Sequence, residues 1–107
     1  MDALASQLRA VADERRLRLL RLCADGPASV SALPAVSLDS EPNVSRQLKQ
    51  LATAGLVQRA RQGQFVEYGV PAGEGEDAQM VRWLLSRLGE GDAALRAARA
   101  ALQRARD

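Results

Sequence analysis

The stretch from Ser40 to Leu56, SEPNVSRQLKQLATAGL, limits what this chain can fold into more than any other. Val44, Leu48 and Leu51 recur at helical spacing, so one stripe of the segment faces a core and the opposite face is left to polar groups. That free face carries Asn43, Arg46, Gln47, Lys49 and Gln50. Arg pairs bidentately with guanine, Asn and Gln with adenine, and Lys neutralises a phosphate, so the residue types suit a groove of DNA. Ser40 is placed to accept from the first free N–H groups, and Pro42 falls in the first turn, where a missing donor costs little. Gly55 supplies the left-handed residue that stops the helix. Taken alone, the segment fits a solvated amphipathic surface helix as well as a DNA reader.

The segment after Gly55 separates the two readings. In LVQRARQGQFVEYGV, Val57, Arg59 and Arg61 alternate with Gln58 and Ala60, and Phe65, Val66 and Tyr68 come after Gly63. This predicts a basic β-hairpin closed at Gln62-Gly63. A pair of helices succeeded at once by such a hairpin is the layout of a winged helix-turn-helix. VSRQLKQLATAGLV and RQGQFVEY are similar to the recognition-helix and wing segments of the ArsR/SmtB family of bacterial repressors, and DERRLRLLRLCADG resembles the helix that precedes them. The resemblance runs from about Leu4 to Val70, and several linked motifs in order are more specific than any one of them. It implies a repressor that dimerises through its first and last helices.

Charge is distributed as that layout requires. The formal net charge is +2. Residues 1–42 and 69–107 hold nearly balanced Arg and acids, whereas 43–68 set Arg46, Lys49, Arg59 and Arg61 against Glu67 alone. The excess cation density therefore falls on the expected recognition helix and wing, where a polyanion docks.

The remaining segments read as helices around that unit. A first helix runs from Leu4 to Val11 with Leu4, Leu8 and Val11 on one stripe. A second starts at the N-cap Asp13 and ends before Gly26-Pro27, with Leu17, Leu20 and Ala24 flanked by Leu19, Leu22 and Cys23. Arg15, Arg16, Arg18 and Arg21 cover its other side, paired with acids such as Asp13 and Glu14. Ser29–Ser31 form a very short strand or an extended entry to a supporting helix over 32–37, and Leu38-Asp39 make the turn. After a loop at 71–76, Met80, Val81, Leu84, Leu85 and Leu88 predict a helix over 77–88, with Trp83 beside the stripe. A last helix over 92–106 places Leu95, Ala98, Leu102 and Ala105 on a line too narrow to bury itself well in a monomer.

The expected fold is mainly α with a small β-hairpin wing, in the order α-α-α-α-β-β-α(-α), dimerising through terminal helices. Residues 1–107 form one domain: 31–56 the helix-turn-helix, 57–70 the wing, 1–12 and 77–107 the dimerisation helices. Expected DNA contacts are Asn43, Ser45, Arg46, Gln47, Lys49, Gln50, Arg59, Arg61 and Gln64. The expected dimer surface is Leu4, Leu8, Val11, Leu84, Leu88, Leu95, Ala98 and Leu102. Double-stranded DNA and a second copy of the chain are the expected partners. No apolar run approaches the roughly 20 residues of a membrane span, and no leader marks export, so a cytoplasmic location is expected.

Metal chemistry lacks its ligands. The resemblance implies a Cys pair where this chain has Ser29 and Ser31, there is no His, and thiolate or imidazole sets are what soft and borderline metals need. A carboxylate site from Glu74, Glu76 and Asp77 would be weak and solvated. A lone Cys23 makes no intrachain disulfide and would need exposure and a lowered pKa to sense oxidants. No cofactor and no metal are expected, and the choice among a small organic effector, a protein effector and no inducer at all is left open. No nucleophile-elbow Ser, no base beside Cys23 and no phosphate-binding loop argue against an enzyme. The competing reading is a protein-interaction or dimerisation module on the same fold, favoured by the modest patch and by Glu41 and Pro42 at the helix tip.

Overall fold

The computed structural model describes residues 2–106, and residues 1 and 107, the outer ends of the expected domain, lie outside the described residues. Six helices and three strands succeed one another as α1 (Asp2–Val11), α2 (Glu14–Ala24), β1 (Ala28–Ser29), α3 (Leu33–Ser37), α4 (Glu41–Thr53), β2 (Gln58–Gln62), β3 (Phe65–Gly69), α5 (Glu76–Leu88) and α6 (Ala93–Arg106). The order matches the expected winged helix-turn-helix, with the optional last helix formed.

Local chemistry sets the boundaries. Asp13 caps α2, its carboxylate accepting from Arg15 N at 2.8 Å and Arg16 N at 3.4 Å. Ser40 caps α4, Oγ accepting from Asn43 N at 3.3 Å, and Pro42 lies in its first turn. Such caps are worth about 1 kcal/mol each. At the far end, Gly55 N donates to Ala52 O and Leu56 N to Leu51 O, both at 3.0 Å, the reciprocal pair of a Schellman stop. Gly55 has φ +81, and a Cβ there would stand 2.5 Å from Asp77 Oδ2, so both conformation and space demand glycine.

One hydrophobic cluster joins the elements. Leu20 and Leu22 of α2, Leu33 of α3, Leu48 and Leu51 of α4, Leu56 and Val81 are all but fully buried. Cys23 belongs to the same cluster. Truncating any one of these leucines to Ala would cost about 2–5 kcal/mol through lost burial and the cavity left behind.

The sheet is antiparallel in the order β1-β3-β2. The extended entry at Ser29 is thus a real third strand, Ala28 opposite Tyr68 and Ser29 opposite Glu67. The hairpin turn lies at Gly63-Gln64, one residue beyond the expected Gln62-Gly63, because Gln62 pairs with Phe65. Gly63, with φ +63, occupies the first central position, as type II′ hairpin turns favour.

The terminal helices depart from expectation. Helix α6 packs on α2 and α3, and Leu95 and Leu102 are buried in the chain's own core, as is Leu84 of α5. These three are corrected from the expected dimer surface: they are consumed within the protomer. The narrow α6 line suffices because polar links reinforce it. Arg99 bridges to Asp25, Nε to Oδ2 at 2.8 Å and Nη2 to Oδ1 at 3.0 Å. Arg106 Nη2 donates to Gly26 O at 2.6 Å and Nε to Pro27 O at 3.2 Å, covering the C-terminal end of α2. Asp25 is held below the ordinary carboxylate range, chiefly by its hydrogen bond from Arg99. Leu4 and Leu8 of α1 and Trp83 of α5 are left about half exposed.

Candidate nucleic-acid interface

Burial of Val44, Leu48 and Leu51 turns the other side of α4 outward. Arg46, Lys49 and Gln50 are exposed there, with Asn43 and Ser45 half-buried. Every residue of β2 is exposed, so Arg59 and Arg61 stand in solvent on the wing together with Gln64 at its turn. Lys49, Ser45, Arg59 and Gln64 border one groove between α4 and the wing. Of the sequence-predicted residues, Ser45, Lys49, Arg59 and Gln64 meet at this groove, whereas Arg46 and Gln50, with Lys49, border a second groove between α4 and α1.

Gln47 is the exception. It is 5% exposed and its Oε1 accepts from Arg16 Nη1 at 2.9 Å, so it faces inward and is corrected from the expected DNA contacts. Helical spacing explains the reversal: Gln47 lies three residues after Val44 and one before Leu48, at the edge of the buried stripe. Arg16 also donates to the carbonyls of Ala10 and Arg9, tying the end of α1 to α4. The other α2 arginines mostly pair with acids as expected: Arg15 with Asp13 at 3.2 Å, Arg18 with Glu14 at 3.2 Å and Asp92 at 2.7 Å, Arg21 with Asp25 at 3.3 Å.

At the N-terminal tip of α4 a hydrogen-bond chain orders the polar face. Asp39 Oδ1 accepts from Ser40 N at 2.8 Å and from Asn43 Nδ2 at 3.0 Å, while Asn43 Oδ1 accepts from Arg46 Nη1 at 2.9 Å. The Asn43 and Ser40 bonds hold the Asp39 carboxyl below its ordinary range. Arg46 is therefore pre-positioned by a neutral amide and keeps its charge available, which lowers the entropy lost when it engages a partner.

Two features of the groove are not evident from sequence. Phe65, 50% exposed, and Glu41 both line it. An aromatic at the first position after a hairpin turn is a signal that could have shown Phe65, whereas Glu41 reads in sequence only as a first-turn acid favoured by the helix dipole.

For metals, Ser29 and Ser31 lie side by side, their hydroxyls 2.7 Å apart, and Ser31 N donates to Ser29 Oγ. Among the described residues no group of three or more His, Cys, Asp or Glu side chains could hold a metal ion. Cys23 is 1% exposed, and burial pushes its thiol up to about 12. No described helix is long and apolar enough to cross a membrane.

Three helices and a hairpin arranged in this way define a winged helix-turn-helix. A family profile described as bacterial regulatory protein, arsR family, matches residues 13–59, from the α2 cap into the wing. Among solved structures, reduced HlyU from Vibrio cholerae N16961 is similar at 32% identity with a TM-score of 0.66, covering 81% of this chain and 88% of that one. The Mb0332 fragment from Mycobacterium bovis, described as a homodimeric winged helix-turn-helix DNA-binding domain and a possible ArsR-family transcriptional regulator, gives 30% identity and a TM-score of 0.71, covering 83% of this chain and 81% of that one. The transcriptional repressor BigR from Xylella fastidiosa gives 27% identity and a TM-score of 0.67, covering 80% and 83%. No curated protein matches by sequence. The chain belongs to the ArsR family of bacterial regulatory proteins. It is accordingly a DNA-binding regulator and not an enzyme.

Proposed function

We propose that the chain is a cytoplasmic, homodimeric repressor that reads an inverted-repeat operator and does not depend on a metal. The observation that supports this reading is the exposure of every cation of α4 and the wing, Arg46, Lys49, Arg59 and Arg61, with Glu67 the one acid between residues 43 and 68. Asn43, Ser45, Arg46 and Gln50 approach base edges or nearby phosphates, Lys49 supports the backbone contacts, and Arg59, Arg61 and Gln64 reach phosphates or the neighbouring minor groove. Residues 31–56 act as the helix-turn-helix and 57–70 as the wing of a single domain.

Dimerisation is assigned to α1 and α5 in place of α6. Leu4, Leu8 and Trp83 offer large exposed apolar side chains, with Val11 and Leu88 half-buried beside the core. Ala98, half-buried on α6, is withdrawn from that surface with its helix neighbours Leu95 and Leu102. Two recognition helices about 34–36 Å apart would read successive major grooves and combine two weak half-site affinities. Repression then results from occupying a promoter. The absence of Cys and His at the α3 entry, where Ser29 and Ser31 stand, supports a response that is not to metal.

The test is binding of the purified protein to the DNA upstream of its own gene against a scrambled duplex, over a salt series. A preference of about a thousandfold or more with a steep salt slope supports the reading. Sequence-indifferent, salt-insensitive binding by a folded dimer would replace it with a protein-interaction module.

A further inference from the structure

The groove between α4 and α1 is built from the other flank of the recognition helix. Ser6 and Arg9 of α1 form one wall and Arg46, Lys49, Gln50 and Thr53 of α4 the other, with Arg16 of α2 beside them. Positions 46, 49, 50 and 53 follow one helical stripe about 10 Å long, which is why they share a wall. Arg9, Arg46 and Lys49 are exposed. Among the described residues the side chains of Arg9 and Lys49 have neither a hydrogen bond nor an ion pair, and Arg46 donates to the neutral amide of Asn43. Arg16 is spent on the carbonyls of Ala10 and Arg9 and on Gln47, with the Asp13 carboxylate 3.9 Å away.

The two grooves that border α4 differ in charge. Beside the wing, Lys49 and Arg59 stand against Glu41, whereas beside α1 four cations and, among the described residues, no carboxylate line the groove. These cations are spread along an open trough and do not converge on one point. A lone anion would therefore meet one or two of them in water, while a chain of phosphates would meet several. A helix seated in a groove of DNA has a sugar-phosphate strand on each side, and the wing accounts for one side only. Lys49 lines both grooves and so stands between the two lines of charge.

Arg9 stays free for such a contact in a dimer. It lies about 100–140° round α1 from Leu4 and Leu8, the exposed leucines assigned to the dimer surface. Pairing through those leucines leaves the Arg9 side of α1 turned toward α4.

We propose that the groove between α1 and α4 is a second docking surface for the DNA backbone, in which Arg9 neutralises a phosphate of the strand on the far side of α4 from the wing. This role for Arg9 rests on the reading of α4 as the helix that enters the DNA groove. It adds α1, otherwise a dimerisation helix, to the surface that DNA touches. A phosphate contact fixes register without reading bases, so Arg9 contributes equally to operator and to scrambled DNA.

The test compares the full-length protein with Arg9→Gln and Arg9→Lys on the upstream and scrambled duplexes over a salt series. Arg9→Gln should weaken both by one common factor, roughly fivefold, and lower the slope of log K against log salt by about 0.9, whereas Arg9→Lys should keep the slope. Uncharged methylphosphonates placed one at a time along the upstream duplex locate the contact. One position should weaken the wild type and not Arg9→Gln, and it should differ from the position coupled in the same way to Arg61→Ala. Thr53→Glu, which puts an acid into the groove, should also weaken both duplexes alike, and serves if Arg9→Gln does not fold. Unchanged affinity and slope in Arg9→Gln, or a loss accounted for by dissociation of the dimer, would overturn the assignment. Saturable amide shifts at Arg9 and Lys49 with millimolar inorganic phosphate would replace it with a free-anion site. Wild-type protein without salt-dependent binding to either duplex would remove the DNA-binding reading itself, whereas wild-type binding indifferent to Arg9 would remove this groove alone.

Discussion

Arg16 of α2 donates through Nη1 to Gln47 Oε1 of α4 at 2.9 Å, with the Arg16 side chain 14% exposed and Gln47 5% exposed. This charge-assisted bond sits at the edge of the stripe of Val44, Leu48 and Leu51 that orients α4, and turns Gln47 to the inner side of it. Removing either partner leaves a nearly buried group unsatisfied. Gln47→Ala and Arg16→Ala should each lower unfolding free energy by about 1–3 kcal/mol, and the double variant should lose less than the sum of the two. Urea unfolding of the four proteins measures the coupling; strict additivity would show that the bond carries none.

The DNA-facing residues divide by role. On the proposed reading Arg46, oriented by Asn43, meets base edges, whereas Arg61, on the exposed wing with a 3.4 Å contact to Gly63 O, meets phosphates. Arg46→Ala should cost about 1–3 kcal/mol on the operator and less on scrambled DNA. Arg61→Ala should weaken both alike and lower the salt slope by about one unit. Equal losses on both duplexes for Arg46→Ala would remove it from the base readers.

How far the sequence alone could reach is visible at these same positions. Caps, the Gly55 stop and the leucine stripes are local signals, and they located α2, α4 and the wing. Gln47 reads as outward in sequence because a residue at the edge of a helical stripe is assigned to a face by its neighbours on other helices, here Arg16. In sequence, helix α6 reads as a dimer surface because its anchors, Asp25 for Arg99 and the carbonyls of Gly26 and Pro27 for Arg106, lie more than seventy residues away in the chain. No periodicity reports such pairings.

Acid should loosen α6 before the rest. Asp25 has a depressed folded-state pKa, so its contribution is complete above the unfolded value of about 3.9 and disappears as pH falls through the lower folded value. Its side chain is 25% exposed, and Asp25→Asn should cost about 1 kcal/mol at pH 7 and little at pH 2. Thermal unfolding of both proteins from pH 7 to pH 2 should show the two converging at the acid end. A difference that persisted there would mean that the carboxylate charge is not what holds Arg99.

Cys23 should be chemically silent in the folded protein. With its thiol pushed up to about 12 by burial, the thiolate fraction at pH 8 is on the order of 10⁻⁴, and there is no access for an oxidant. A thiol-disulfide reagent should react only at the rate of unfolding in buffer and fully in denaturant. Rapid labelling of the native protein, or loss of DNA binding after mild peroxide in wild type and not in Cys23→Ala, would contradict this.

The two-residue strand β1 pairs with β3 at Ala28–Tyr68 and Ser29–Glu67, just ahead of α3. That short ladder welds the hairpin to the entry of the helix-turn-helix. The base of the hairpin is therefore tied to the segment that enters α3, like the shank that joins two teeth of one key. On the proposed DNA-binding reading, a half-site that fits α4 but presents its flanking phosphates at another height is met by bending the DNA more readily than by moving the base of the hairpin, and the stiffness of bases that no side chain touches then enters the recognition.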